Sequence, residues 1–263
     1  MAEQASRRLV GDLTFDQVGG AVSAGAILCL PMGSMEQHGP HLPLDTDTVL
    51  AEALTCRIIA RWGEAFDLWQ LPTLAIGLSR EHGWAPGTLS LSVAGMTALI
   101  RDLGREIARA LPAKNLLVVN AHGGNRGLLE ALGRELAADF GLNVCALHTG
   151  ALMSPVTDAA IPEIHAGRDE TSAMLALAPH RVRRDLIASL KPTPDGDAVR
   201  ALILDPAASF AWSSDDPRLA AAGVIGDPRG ASAEHGEAIV ARVVEAAGAA
   251  LRQLREGQPA PRG

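Results

Sequence analysis

The chain has no tyrosine, and only 3% of its 263 residues are aromatic. That scarcity argues against a platform that stacks nucleic-acid bases. Basic residues are also short: 23 Lys and Arg face 30 Asp and Glu, for a net charge of −7. They form no cluster, so a phosphate-backbone partner has no electrostatic footprint and no nucleic acid is expected as a partner. Cysteine is limited to Cys29, Cys56 and Cys145, an odd number set far apart. They make neither a disulfide framework nor a CxxC metal knuckle, and are expected to be thiols in a reducing cytoplasm. The most apolar stretch, 21–32, is too short to span a bilayer. It also follows Asp12 and Asp16, a poor layout for a signal peptide, so a soluble protein with no membrane partner is expected. A GxSxG elbow, a GxxxxGK[ST] loop and a GxGxxG loop are all absent.

What is present is a globular balance, with 48% hydrophobic and 20% charged residues, enough apolar material for a core. There is no internal repeat and no long linker. Short apolar runs at 26–32, 68–74, 115–120 and 143–148 read as buried strands. Between them, apolar residues at helical spacing predict helices over 48–62, 93–111 and 125–140, with later helices over 170–177 and 233–255. Alternation of this kind predicts an α/β fold with a mostly parallel sheet covered on both faces. In such folds ligands gather where loops leave the carboxyl ends of strands. The stretch 191–228, rich in Pro, Asp and Ser, reads as a long loop region of the kind that forms lids.

Three segments concentrate chemistry. After the first strand comes PMGSMEQHGPHLPLDTD, which packs Glu36, His38, His41, Asp45 and Asp47 into twelve residues. Glu36 and His38 are two apart, so an extended backbone points them the same way. Carboxylate oxygens beside imidazole nitrogens suit Zn²⁺, Mn²⁺ or Fe²⁺. The plainer alternative is a polar loop with Asp47 as the N-cap of the next helix. NAHGGN follows the 115–120 strand: His122 sits at a strand end, while Gly123 and Gly124 could instead cradle an anion at a helix start. HAGRDETS places His165, Asp169 and Glu170 at another loop-to-helix junction. His165 suits proton transfer near neutral pH, Asp169 suits a helix start, and Glu170 suits either a ligand or helix-start charge.

Taken in order, GSMEQHGPHLPLDTD, GLSREHGWAPGTLSL, NAHGGN, HAGRDETS and GVIGDPRGASAEHG resemble the creatininase family of metal-dependent amidohydrolases. The resemblance implies one three-layer α/β/α domain over 1–263, and a homo-oligomer, often a hexamer. It implies one or two divalent ions (Zn, Mn or Fe) and hydrolysis of a non-peptide amide or cyclic-amide C–N bond in a small molecule. The implied metal ligands are Glu36, His38, a bridging Asp47, His122 and, in the HAGRDETS segment, Glu170. The implied catalytic residues are His165, for proton transfer, and Glu170. Ser79, Glu81, His82 and Trp84 fall in what resembles the family's substrate loop, Gly123 is implied at the substrate as well, and Trp212 lies in a segment that would cover the pocket. The chain departs from creatininase proper at Gly124, where an HYEN-type motif carries a Glu ligand. HGGN-type members include formamide hydrolases of pterin-like and deazaflavin precursors, and mycofactocin peptidases acting on a short precursor peptide. Those activities are the alternatives to a small-molecule amidohydrolase.

Overall fold

The computed structural model describes residues 8–155 and 159–257. Its centre is a four-stranded parallel sheet in the order β2-β1-β3-β4, formed by β1 (Ile27–Met32), β2 (Leu68–Gln70), β3 (Asn115–Asn120) and β4 (Asn143–His148). β1 and β3 align residue for residue, from Ile27 beside Asn115 to Met32 beside Asn120. The helices are α1 (Phe15–Ala21), α2 (Thr46–Phe66), α3 (Val93–Ala110), α4 (Arg126–Phe140), α5 (Thr149–Met153), α6 (Arg168–Leu177), α7 (Arg184–Ile187), α8 (Gly196–Val199) and α9 (Ala233–Glu256).

Strand alternation creates the two cores. Ile27, Cys29, Leu117 and Val119 pack with Leu50, Leu54 and Ile58 of α2, Met174 of α6, and Val243 and Leu251 of α9. Leu28, Leu30, Met32, Leu116 and Val118 face the other way, onto Met96, Ile100 and Ile107 of α3 and Leu129, Leu132 and Leu136 of α4. The result is the three-layer α/β/α arrangement. Both faces of β1 and β3 are covered, so both strands are buried throughout, β3 being apolar between Asn115 and Asn120 at its ends.

Local signals set the helix ends. The Ser92 side chain accepts the Gly95 N–H to start α3, and Ser232 does the same for His235 at the start of α9. Gly141 ends α4 at φ +67°, a conformation glycine adopts without penalty. Two expectations need correction. The strand expected over 68–74 stops at Gln70, because Pro72 has no N–H for the ladder; pairing resumes only as a single bridge between Met32 and Leu74. Asp47 is not the N-cap of α2: Asp45 holds that place, and Asp47 lies inside the first turn with its side chain turned elsewhere.

α6 and α9 cross at Gly236, where an added Cβ would lie 1.9 Å from the Ser172 carbonyl oxygen. Gly236→Ala is therefore expected to cost about 2–3 kcal/mol by forcing the helices apart, read as a lowered denaturation midpoint. Among the described residues, no helix is long and apolar enough to cross a membrane.

The sheet order fixes where a site can form. From β1 the chain crosses to β2 on one side, then returns past β1 to build β3 and β4 on the other. The crevice at this reversal lies beyond the carboxyl ends of β1 and β3.

Candidate metal centre

The loops that fill this crevice are those after β1 and β3. Gly33 leaves β1 so close to α2 that an added Cβ would lie 2.4 Å from the Thr48 nitrogen. The loop then doubles back, with the Glu36 N–H donating to Leu44 at 2.8 Å and Gly39 at φ +63°. This fold-back brings Asp47 beneath Glu36 and His38. Ala121 extends the ladder by donating to the Met32 carbonyl, so His122 emerges directly opposite. His165 and Glu170 come in from the 163–170 segment and α6. His41 ties the two sides together through Thr171, at 2.8 Å.

The groups converge closely. His122 Nδ1 lies 3.2 Å from Glu36 Oε2 and 3.1 Å from Asp47 Oδ2. His38 Nε2 lies 3.2 Å from Asp47 Oδ1 and 4.0 Å from Glu170 Oε2. His165 Nδ1 lies 3.6 Å from Glu36 Oε1. Backbone carbonyls fix the imidazole protons, because a carbonyl only accepts. His122 donates from Nε2 to Leu78 at 2.7 Å, His38 from Nδ1 to Glu36 at 3.2 Å, and His165 from Nε2 to Gln37 at 2.7 Å. Each ring therefore turns its other nitrogen toward the carboxylates, the orientation in which a deprotonated imidazole ligates a metal.

His82 is oriented the opposite way. Its Nδ1 meets the Gln37 amide at 3.0 Å and the Ser214 hydroxyl at 2.8 Å, which leaves an N–H at Nε2 facing Glu36 Oε1 at 3.4 Å. His82 thus supports Glu36 from behind.

The charge balance calls for a cation. Both Glu36 oxygens and Asp47 Oδ2 are buried and accept no hydrogen bond from the described residues. Unpaired carboxylate charge in such a place is costly. Burial alone would depress His38, but Asp47, with Glu170 and Glu36 behind it, pushes it up to about 10. Burial likewise opposes the charge on His122, yet Glu36 and Asp47 drive it well above its ordinary range. Burial would raise Glu36 and Asp47, but His122 and His38 respectively hold them below the usual carboxylate range. The cluster draws positive charge onto two imidazoles, a demand that one divalent cation meets directly. Glu36, Asp47 and His122 form one donor group, and His38, Asp47 and Glu170 another, each with ligand atoms within 4.8 Å of one another. These residues fit a divalent metal in type, number and burial.

All the residues expected as ligands therefore meet here: Glu36, His38, Asp47, His122 and Glu170. His165 lies among them, its ring 4.3 Å from His38 and 4.1 Å from His82. Burial, reinforced by His82 and His38, holds it well below the ordinary histidine range, as a free base. Of the residues expected at the substrate, Ser79 is buried against Ser34 and lies 3.3 Å from His122 Nε2. Trp84 remains 46% exposed, with its indole N–H tied to Ser214 at 2.8 Å. Gly123 is exposed, with open space above it. Trp212 stands edge-on to His82 at 5.9 Å. Asp169 turns away from the cluster and pairs with His235 at 2.8 Å.

Gly124 has a structural reason. A Cβ there would lie 2.2 Å from the Leu78 carbonyl oxygen and 2.6 Å from Glu81 Oε1. The HGGN segment is a cradle for the 78–82 loop: His122 donates to the Leu78 carbonyl, and the Asn125 side chain accepts the Leu78 N–H at 3.0 Å. Glu170 reaches the His38 side of the cluster, while the space above Gly124 belongs to Glu81. The sequence did not single out Gln37, whose side-chain amide donates to His82 and to the Gly223 carbonyl at 3.0 Å each.

The family model for creatininase, described as creatinine amidohydrolase, matches residues 11–251. The chain is 33% identical over 265 residues to the mycofactocin precursor peptide peptidase of Mycobacterium tuberculosis, covering 97% of this chain and 95% of that one. It is 31% identical over 268 residues to the creatinine amidohydrolase of Pseudomonas putida, covering 93% and 96%. A solved structure designated "Creatininase Mn" shares the fold at a TM-score of 0.73 and 28% identity, covering 97% of this chain and all of that one. Fold, donor cluster and likeness together define a hydrolase that acts on carbon–nitrogen bonds. The chain belongs to the creatininase family.

Proposed function

We propose that the protein is a metal-dependent amidohydrolase that cleaves an amide or cyclic-amide C–N bond of a small molecule. The observation that carries this reading is the set of buried carboxylate oxygens on Glu36 and Asp47 that lack hydrogen-bond donors and face imidazole nitrogens. Glu36, Asp47 and His122 would hold one divalent cation, and His38, Asp47 and Glu170 a second, with Asp47 shared. The solved relative designated "Creatininase Mn" supports a divalent ion. When bound, such an ion lowers the pKa of a water toward neutrality and polarises the scissile carbonyl.

The chain's own residues supply the rest. His165, held neutral with Nδ1 unprotonated, would serve as the group that takes a proton from water and passes it to the leaving nitrogen. The Gln37 carbonyl holds that ring in the required tautomer. His82, its Nδ1 an acceptor, turns Nε2 toward Glu36 Oε1 at 3.4 Å without hydrogen-bonding it. The burial of Glu36, Asp47, His122 and His165 keeps bulk water from the reacting groups.

A second reading, hydrolysis of a short peptide, is supported by the likeness to mycofactocin peptidases. Products separate the two. Ammonia, formate or a ring-opened acid marks a small-molecule amide, and a free dipeptide marks a peptidase. The test is turnover of creatinine, a formamide and a short peptide by protein reconstituted with Mn²⁺ or Zn²⁺, against a chelated control. Metal-dependent turnover of any of them supports amide hydrolysis and names the branch; equal turnover with and without chelator overturns it. His165→Ala is expected to keep its metal while kcat falls about 10²–10⁴-fold, the range for a lost acid–base group. An unchanged kcat removes its assigned role.

A further inference from the structure

Glu163 stands outside the donor cluster, two residues before His165, and the chemistry above gives it no part. Its carboxylate is held by backbone on two sides. Oε2 accepts the Arg168 N–H at 2.6 Å, and Oε1 accepts the Asp227 N–H at 3.2 Å. Two glycines make room for it. An added Cβ at Gly226 would lie 2.5 Å from Oε2, and one at Gly167 closer still. These are glycines of HAGRDETS and of GVIGDPRG, so one carboxylate joins two segments that are distant in the chain.

The turn that Glu163 closes carries His165. The His165 main chain pairs with Ile225 in both directions, N–H to carbonyl at 2.9 Å each way. The next residue, Ala166, is buried at φ +54°, a left-handed conformation that is costly for a residue with a Cβ. Such a conformation persists only where its surroundings over-determine it. Two carboxylates do so here. Glu170 accepts the Ala166 N–H at 2.6 Å, and Glu163 fastens the turn to Arg168, the first residue of α6. Glu170 also faces His38 in the cluster, whereas both Glu163 oxygens are given to backbone N–H groups.

We propose that Glu163 is a positioning residue. By closing the 163–168 turn and tying it to Asp227, it holds the His165 ring with Nδ1 toward Glu36 and Nε2 on the Gln37 carbonyl. The assignment rests on the role given to His165 above and adds a residue that acts on the reaction only through it.

The test compares Zn²⁺-loaded wild type with Glu163→Gln and Glu163→Asp at pH 8, above the value of about 7 to which burial pushes this carboxyl. Gln keeps the shape but offers one oxygen, and its NH₂ is turned against an N–H. Asp keeps the charge one methylene further back. In Glu163→Gln, amide hydrogen exchange over 163–168 and 225–227, read by mass spectrometry, is expected to quicken at least about tenfold. Carbethoxylation of His165 by diethyl pyrocarbonate is expected to quicken with it, while zinc content and exchange in β1 and β3 stay as in the wild type. Glu163→Asp is expected to fall between. Unchanged exchange and His165 modification in both variants, loss of zinc from both, or failure of both to fold overturns the proposal. On any amide of the panel that the wild type hydrolyses, Glu163→Gln is expected to lower kcat about 10–10²-fold at constant KM. The same substitution in His165→Ala is expected to cost nothing further. A raised KM at unchanged kcat, or a full loss that persists in His165→Ala, overturns the proposal. Hydrolysis of no amide sinks the catalytic reading alone, because the modification rate of His165 still decides whether Glu163 holds its ring.

Discussion

Asp47→Asn is expected to strip the cluster of its metal and to lower kcat/KM by about 10³-fold or more, which corresponds to about 4 kcal/mol of lost transition-state stabilisation. The reason is geometric. Asp47 Oδ1 faces His38 and Oδ2 faces His122, so it belongs to both donor groups. Asn keeps one acceptor and turns an NH₂ toward the other group, where a cation needs an oxygen lone pair. The fold should survive. Asp47 does not cap α2, and removing its charge relieves repulsion against buried Glu36. Metal analysis, steady-state kinetics and a melting curve of the metal-free variant check the three parts. A variant that loads metal normally would remove Asp47 from its bridging place; one that fails to fold would show that the side chain is structural.

The sequence made much of this site legible, for a reason rooted in topology. Strand β3 falls where its apolar run predicts it, because both faces of a central parallel strand are covered and no turn residue interrupts the run; the edge strand β4, half-buried along its length, also lies where expected. Once β1 and β3 are neighbours, the segments that follow them must meet, and Glu36, His38, Asp47 and His122 lie on those segments. The extent of β2 was less legible, since an apolar run does not reveal that Pro72 ends the ladder. Helix α1 went unread because none of its residues is buried, so its sequence carries no core-facing stripe.

The roles of Gln37 and Ser214 could not be read at all, and the contact of Glu81 with His122 was hidden with them. Each depends on how the 78–82 turn and the segment around Ser214 run over the cluster, and no local pattern encodes those paths. The split between His82 and the other three rings was equally hidden. Four histidines look alike in a sequence; which nitrogen carries the proton is decided by the carbonyls of Glu36, Gln37 and Leu78 and by the donors on Gln37 and Ser214.

Gly124→Ala is expected to destabilise the protein by about 2–4 kcal/mol and to abolish most activity, while Gly123→Ala one residue earlier changes stability by less than about 0.5 kcal/mol. Neither glycine has a positive φ, so backbone strain does not separate them and the contrast rests on space alone. A Cβ at Gly123 meets nothing within 4 Å. At Gly124 it would lie 2.2 Å from the Leu78 carbonyl oxygen, 2.5 Å from His122 Nε2 and 2.6 Å from Glu81 Oε1. The Glu81 carboxylate can swing away, but the Leu78 carbonyl is backbone and His122 is pinned to it. Relief therefore requires the 78–82 loop to lift, which frees the His122 ring to rotate its Nδ1 away from Glu36 and Asp47. Chemical denaturation of both variants measures the stability difference, and metal content measures the loss of the His122 ligand. Equal, small effects at the two positions would show that the loop does not rest on Gly124, and the placement of Glu81 beside the cluster would fall with it.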